Sequence, residues 1–314
     1  MGTLAETLAG VLPIIALIAL GVLLRRTGTL NDAVVDGLKR LVVSVVLPAV
    51  LFLAFLTLEF RAGYLSIILL VPVVCIALLA LGVVARHLLG SPPVTPFLFT
   101  GFEFGMVGLA LYTAAYGAIE VPTAAIVGLG HEFFIWFIFV TLLTRQSEGR
   151  VSARDTLVSF VRSPVIIAIA AGLALNLLGL REAVAGNLLG GGLLRTLEYL
   201  AAIIVPIILI VVGYGTRLSR AGIRQALPLV LARFVATLTI ALVLSQVVVG
   251  RMLGLGAPVR AAVFMLFILP PPFIVPIFLP RRRQREITYA NNVLSLYTVV
   301  SVATFVGYLV ATAS

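Results

Sequence analysis

The chain has 314 residues, of which 61% are apolar and 11% are charged, and its formal net charge is +10. Soluble domains carry about 25% charged residues, so this composition excludes a soluble globular protein and indicates an integral membrane protein. The basic residues are spread over short loops between apolar runs, which is typical of membrane topology and not of nucleic-acid binding. The single cysteine, Cys75, excludes a disulfide within the chain and a thiolate metal cluster.

Ten apolar segments follow one another along the chain, each long enough for a helix that crosses a bilayer. Their unbroken apolar character predicts an all-α membrane protein with ten transmembrane helices. The first segment lacks a preceding basic region and a clear cleavage site, so we expect it to be retained. The predicted segments are residues 4–24, 37–57, 64–85, 94–118, 121–144, 163–180, 193–213, 225–248, 258–280 and 287–311.

Lysine and arginine divide unequally between the two sets of loops. The loops after odd-numbered segments hold 16 of the 22 basic residues, and the opposite loops hold five. Cytoplasmic loops are enriched in Lys and Arg. We therefore expect a multi-pass protein of the inner or plasma membrane with both termini on the extracytoplasmic side.

The longest polar stretch, residues 145–162, divides the ten segments into two sets of five. Because five is odd, the second set enters the membrane in the opposite sense to the first. This predicts one transmembrane transporter domain built from two inverted five-helix repeats, residues 1–150 and 151–314.

The fourth and ninth segments are each interrupted near the middle. Glycine weakens a helix, and proline lacks an N–H group and disfavours helical geometry before it. The interruptions predict two discontinuous helices, 4 and 9, that cross near the membrane midplane. The residues concerned are Gly101, Glu103 and Gly105 in FTGFEFGMVG, and Pro270, Pro271 and Pro272 in FILPPPFIVP.

These breaks predict a substrate site, completed by Asn291 and Asn292 of the tenth segment. A carboxylate at membrane depth is costly and is by default a functional residue. At 1.5 Å per residue, Glu103 and Glu132 lie roughly 15 and 16 Å deep, near mid-membrane. We expect Glu103, Glu132 and the adjacent His131 to couple transport to an ion. Carboxyl groups could carry H⁺ and bare carbonyls could hold Na⁺, and no other cofactor is expected.

Two polar residues within the segments have competing explanations. His131 lacks a second histidine four residues later, since position 135 is Ile, so no zinc motif is present and no metal site is expected. His131 is either part of the site or a packed, hydrogen-bonded core residue. The Arg233 side chain either extends to the membrane surface or pairs with another group in a structural role. The alternative is that it lies near an anionic substrate.

The opening sequence, VLPIIALIALGVLLRRTGTLNDAVVDGLKRLVVSVVLPAVLFLAF, resembles the start of auxin efflux carrier (AEC) family permeases, within the bile/arsenite/riboflavin-type transporter superfamily. The shared features are an early proline, a helix ending in two arginines, an amphipathic connector and a central Leu-Pro. The resemblance implies a transport domain that contains the crossover, packed against a scaffold domain, and a homodimer. The chain differs from that family in carrying Glu103 where an Asn-containing turn is usual, and in its triple proline.

We hypothesise a secondary active transporter, a permease or efflux carrier, of small organic solutes, with carboxylates and other organic anions expected. It would work by alternating access as a proton- or sodium-coupled symporter or antiporter. No Walker motif is present to bind ATP, and an enzyme is not expected. The alternatives are a bile acid–sodium symporter-like carrier, a channel, a non-transporting membrane sensor, and an intramembrane enzyme that uses His131 and Glu132. The expected partners are the lipid bilayer and a small-molecule substrate.

Overall fold

The computed structural model describes residues 4–59, 63–148, 158, 161–216 and 219–313. Within these ranges the protein consists of helices and connections, without a strand. Short π-helical stretches lie within four of the long helices, and a short helix, Arg181–Gly186, precedes the seventh. The helices are α1 (Leu4–Arg26), α2 (Asp32–Leu56), α3 (Gly63–Leu89), α4 (Thr95–Tyr116), α5 (Ala118–Gln146), α6 (Pro164–Leu177), α7 (Leu188–Gly215), α8 (Arg220–Met252), α9 (Ala257–Ile268) and α10 (Gln284–Ala313).

Seven helices in the described part of the chain are long and apolar enough to cross a membrane: α2, α3, α4, α5, α7, α8 and α10. Two further apolar helices are shorter, α6 with 14 residues and α9 with 12. Each of the ten segments predicted from the sequence contains a helix of the structure. The prediction of an all-helical membrane protein is confirmed.

Helix α2 begins at Asp32, before the predicted start at residue 37. The side chain of Asn31 accepts a hydrogen bond from the Val34 N–H at 2.9 Å, and Asp32 lies in the first turn. Both features stabilise a helix N-terminus, the first by satisfying a free N–H and the second by its charge. The first turns of α2 are therefore an amphipathic, charged extension at the N-terminal end of the apolar helix.

The helices pack in pairs that recur in the two halves of the chain. Helix α1 packs against α7, and its counterpart α6 packs against α2. Helix α3 contacts α4 and α5, and in the same way α8 contacts α9 and α10. Glycines allow the close approach of α1 and α7. A Cβ at Gly21 would collide with the carbonyl of Ile210, and one at Gly213 with the carbonyl of Ile18. Small residues at such contacts let two helix backbones approach closely, which strengthens packing in a membrane.

Two polar side chains satisfy the C-terminal carbonyls of neighbouring helices. Near the end of α1, Arg25 donates hydrogen bonds to the carbonyl oxygens of Tyr214 and Thr216, both at 2.7 Å. Near the end of α6, Asn176 donates to the carbonyl oxygens of Phe55 and Leu58 at 2.9 and 2.8 Å. Carbonyls at a helix end have no partner within the helix, so these contacts tie α1 to α7 and α6 to α2.

Helix α4 lies in the interior. In its most apolar stretch 78% of the residues are buried, against 50% or less in the other six long helices. Its first half, Thr95–Phe99, ends at an extended segment, and helical structure resumes at Phe104. Gly101 within the segment has a φ of +68°, which residues with a side chain rarely adopt. The predicted interruption of this helix is confirmed and lies inside the protein.

The ninth predicted segment is only partly helical. Helix α9 ends at Ile268, and residues 269–280 form extended structure and turns before α10. The prolines at 270–272 explain this ending, because they cannot donate the hydrogen bonds that would continue the helix. The prediction of a discontinuous ninth helix is therefore correct for its first half, while its second half is a series of turns.

Candidate functional site

The interruptions of α4 and α9 lie against each other and are hydrogen-bonded in both directions. The backbone N–H of Glu103 donates to the carbonyl oxygen of Pro270 at 2.9 Å. The backbone N–H of Phe273 donates to Oε2 of the Glu103 side chain at 2.6 Å. Backbone groups released by a break must find partners inside an apolar environment. Each break supplies partners for the other, and the Glu103 carboxylate is one of them.

The carbonyl groups on the other side of the crossover are bound by Arg233 of α8. One guanidinium nitrogen, Nη1, lies 2.8 Å from the carbonyl oxygen of Leu98. The other, Nη2, lies 2.8 Å from that of Gly101 and 3.1 Å from that of Leu269. The side chain is completely buried. Of the roles expected for Arg233, structural pairing is therefore observed, and the side chain does not extend to the surface.

His131 connects α5 to the break in α4. Its Nε2 accepts a hydrogen bond from the Phe102 N–H at 2.9 Å, so Nε2 carries a lone pair and a neutral ring carries its proton on Nδ1. The Nδ1 atom lies 3.6 Å from Oε1 of Glu132 and has no hydrogen-bond partner within the described ranges. The ring is almost fully buried, whereas the Glu132 side chain is 20% exposed. His131 thus lies between an accessible carboxylate and the backbone next to Glu103.

A cavity of about 1250 Å³ leads to these residues. Cavities that bind small molecules measure about 300–1,000 Å³, so a small organic molecule would fit. Residues of α2, α5, α6, α7 and α10 form its walls, and the crossover forms its floor. The predicted site residues on its surface are Glu103, Gly105, His131, Glu132, Pro272 and Asn291.

The other predicted site residues lie away from the cavity surface. Gly101 lies behind the floor, where a Cβ would approach Pro272, and its carbonyl binds Arg233. Pro270 and Pro271 are buried, and the carbonyl of Pro270 receives the Glu103 N–H. Asn292 faces α8 and donates to the side-chain oxygen of Gln225 at 3.1 Å. The two adjacent asparagines therefore point to different surroundings, as expected for neighbours about 100° apart on a helix.

The cavity changes in polarity from mouth to floor. Exposed basic residues, Arg40 and Arg162, line it near the starts of α2 and α6, together with Lys39, which pairs with the exposed Asp36 at 3.4 Å. Aromatic and aliphatic side chains cover most of the interior, among them Phe104 and Trp136. Basic groups at a mouth attract anions, and apolar walls accommodate a hydrocarbon body.

Several residues on the cavity surface are absent from the site that the sequence predicts. Lys39, Arg40 and Arg162 count there only among the loop charges that indicate topology, although the amphipathic start of α2 indicates a surface that faces both water and the protein. The Phe273 N–H carries no side-chain signal at all. No group of three or more His, Cys, Asp or Glu residues that could hold a metal ion occurs in the part of the chain that the structure describes.

Compared with models of known protein families and with curated protein sequences, the chain matches none of them.

Proposed function

We propose that this protein is a secondary active transporter of small organic solutes, with carboxylates and other organic anions as the substrate class. In this proposal ten membrane helices form two inverted five-helix repeats with the fold of AEC permeases. The helix contacts support the repeat. Each helix of the first half corresponds to the helix five places later, so that α1 corresponds to α6 and α2 to α7. Under this correspondence the contact of α1 with α7 becomes that of α6 with α2, and the contact of α3 with α5 becomes that of α8 with α10; all four contacts are present.

The hydrogen bonds made near the C-terminal ends of α1 and α6 follow the same correspondence. Arg25 binds the last carbonyls of α7, and Asn176 binds the last carbonyls of α2. Helices related by this correspondence therefore make equivalent contacts, although the residues differ. Repeats of opposite orientation provide two conformations of similar free energy, which is what alternating access requires.

The observation that carries the proposal is that the large cavity ends on the two crossed helix breaks. An open cavity whose floor is a pair of interrupted helices is a substrate path that is accessible from one side and closed at the crossover. In the opposite conformation the crossover would face the other side. Arg40 and Arg162, both exposed on the cavity lining, would attract anionic substrates.

Glu103 and Glu132 would couple transport to a proton. Both carboxyl groups line the cavity, and their negative charges would repel a carboxylate substrate at the floor. Protonation removes that repulsion, so a proton and an anion would bind together. The Nδ1 atom of His131 lies 3.6 Å from Oε1 of Glu132, so a small side-chain movement would allow the two groups to exchange a proton.

The proposal is tested with purified protein in proteoliposomes that contain an unlabelled carboxylate and receive a labelled one, using a panel of mono- and dicarboxylates. We expect counterflow of at least one panel member and its stimulation by an imposed pH gradient. Glu103→Gln and Glu132→Gln should each reduce the pH-dependent flux by at least about tenfold. Glu120→Gln is the matched control, because Glu120 lies at the start of α5, outside the cavity, and its carboxylate accepts from Thr123.

The outcomes separate the proposal from its alternatives. Absence of counterflow for every carboxylate would contradict the substrate class. Binding without counterflow would indicate a sensor, and currents far above a carrier's turnover would indicate a channel. Wild-type flux and unchanged pH dependence in both glutamine variants would refute the assignment of the coupling residues.

A further inference from the structure

The C-terminal ends of the two half-helices meet at one point of the crossover. The first half of α4 ends at Phe99 and α9 ends at Ile268. Carbonyl groups at helix ends carry partial negative charge and lack partners in the helix. The carbonyls of Leu98, Gly101 and Leu269 converge there, and such a group of oxygens is suited to bind a cation.

Arg233 supplies a cation to this group of carbonyls. Its guanidinium donates to four backbone oxygens, the fourth being that of Thr100 at 3.4 Å. Its central carbon, Cζ, lies 5.1 Å from the ring centre of Phe102 and 4.8 Å from that of Tyr297. A planar guanidinium can bind several acceptors in its plane and stack on aromatic rings above and below. The carbonyls and the two rings therefore match the Nη1 and Nη2 end of the guanidinium, while its buried Nε–H has no hydrogen-bond partner among the described residues.

No carboxylate forms an ion pair with Arg233 in the described part of the chain. A buried charge is costly unless it is paired. The guanidinium charge of Arg233 and the carbonyl dipoles of the two half-helices thus stabilise each other.

We propose that Arg233 is a built-in cation at the crossover, in the place where a sodium-coupled carrier would bind a metal ion between interrupted helices. A sodium ion at the same carbonyls would have to displace the guanidinium or lie beside another positive charge. The protein therefore does not require sodium for stability, and, resting on the proposed function, its transport does not require sodium either. Removing the side chain should create a vacant cation site with room for a free guanidinium ion.

The first experiment measures thermal unfolding of the full-length protein in detergent, in choline, sodium, potassium or low, non-denaturing guanidinium chloride at constant ionic strength. The wild type should melt at the same temperature in sodium and in choline. Arg233→Ala should melt at least about 5 °C lower in choline, because several buried carbonyls lose their partner. Guanidinium should raise that temperature in a saturable way, as expected for a ligand of the folded state.

The control for this experiment is Arg260→Ala. Arg260 lies near the start of α9 and its guanidinium makes a side-chain contact of 3.4 Å with Gln246, away from the crossover carbonyls. Its melting temperature should not respond to guanidinium. If Arg233→Ala does not fold, Arg233→Lys takes its place, since one ammonium cannot reach all these carbonyls and should leave a smaller loss of melting temperature.

Three results would overturn the proposal: selective stabilisation of the wild type by sodium, an Arg233→Ala melting temperature equal to that of the wild type, or an equal guanidinium effect in both alanine variants. The second experiment compares wild-type flux in proteoliposomes with sodium and with choline, which should be equal. Sodium-driven flux would refute the built-in cation and leave the transporter proposal standing. Absence of any flux, with the melting results as expected, would refute the transporter proposal alone.

Discussion

The carboxylate of Glu103 accepts a hydrogen bond from the backbone N–H of Phe273 at 2.6 Å, across 170 positions of the chain. The same residue donates its own N–H to Pro270. A side chain at the floor of the cavity is therefore also a structural contact between the two broken helices. A change of its charge or its hydrogen bonding would be felt by both helices.

This contact predicts different stabilities for two substitutions. Glu103→Gln keeps an oxygen that can accept from the Phe273 N–H, so the free energy of unfolding should fall by less than about 1 kcal/mol. Glu103→Ala leaves that N–H unpaired and should cost about 1–3 kcal/mol. Thermal unfolding in detergent measures both. Equal losses in the two variants would show that the accepting oxygen is not what stabilises the crossover.

His131 should be structurally necessary because its Nε2 is the partner of the buried Phe102 N–H. His131→Phe fills a similar volume but cannot accept a hydrogen bond. We expect the free energy of unfolding to fall by about 1–3 kcal/mol, the cost of an unsatisfied buried donor. The other histidine, His87, is exposed, and its hydrogen-bond partner among the described residues is the Val83 carbonyl of its own helix, so His87→Phe is the matched control and should change little. Similar losses in both would contradict the assigned contact.

The close contact of α1 and α7 predicts a sharp difference between two glycines of α7. Gly213→Ala places a methyl group against the Ile18 carbonyl and should lower the unfolding free energy by about 1–3 kcal/mol. Nothing lies within 4 Å of a Cβ at Gly215, two residues later. Gly215→Ala should be neutral or slightly stabilising, because alanine loses less conformational freedom in a helix. Denaturation curves of the two variants measured side by side test this.

The cavity mouth should be reachable by water from one side of the membrane only. Ser44 is exposed and lines the cavity, so in a Cys75→Ala background Ser44→Cys should react with a membrane-impermeant maleimide. Reaction is expected from the side that carries Lys39 and Arg40, predicted to be cytoplasmic. Ala77→Cys, exposed in the middle of α3, should face lipid and stay unlabelled. Equal labelling of Ser44→Cys from both sides would contradict a cavity that is closed at the crossover.

The sequence by itself determined the protein class and the positions of both breaks. Long apolar runs with few charges have no stable place in water, so composition alone indicates membrane helices. Glycines around Glu103 and the prolines at 270–272 interrupt a helix through local backbone effects that require no knowledge of neighbours. For the same reason a mid-membrane acid such as Glu103 was identifiable as costly before any contact was known.

Only the tertiary structure decided what each of these groups contacts. The depth of Arg233 did not distinguish a side chain that reaches the membrane surface from one that binds carbonyls of α4 and α9. Adjacent Asn291 and Asn292 were equivalent in the sequence, yet one faces the cavity and the other Gln225. Backbone partners such as the Phe273 N–H leave no trace in a side-chain pattern. Periodicity and composition of the sequence predict where a single helix begins, ends or breaks. The crossover is formed by groups that are distant in the chain and become neighbours only when the helices pack.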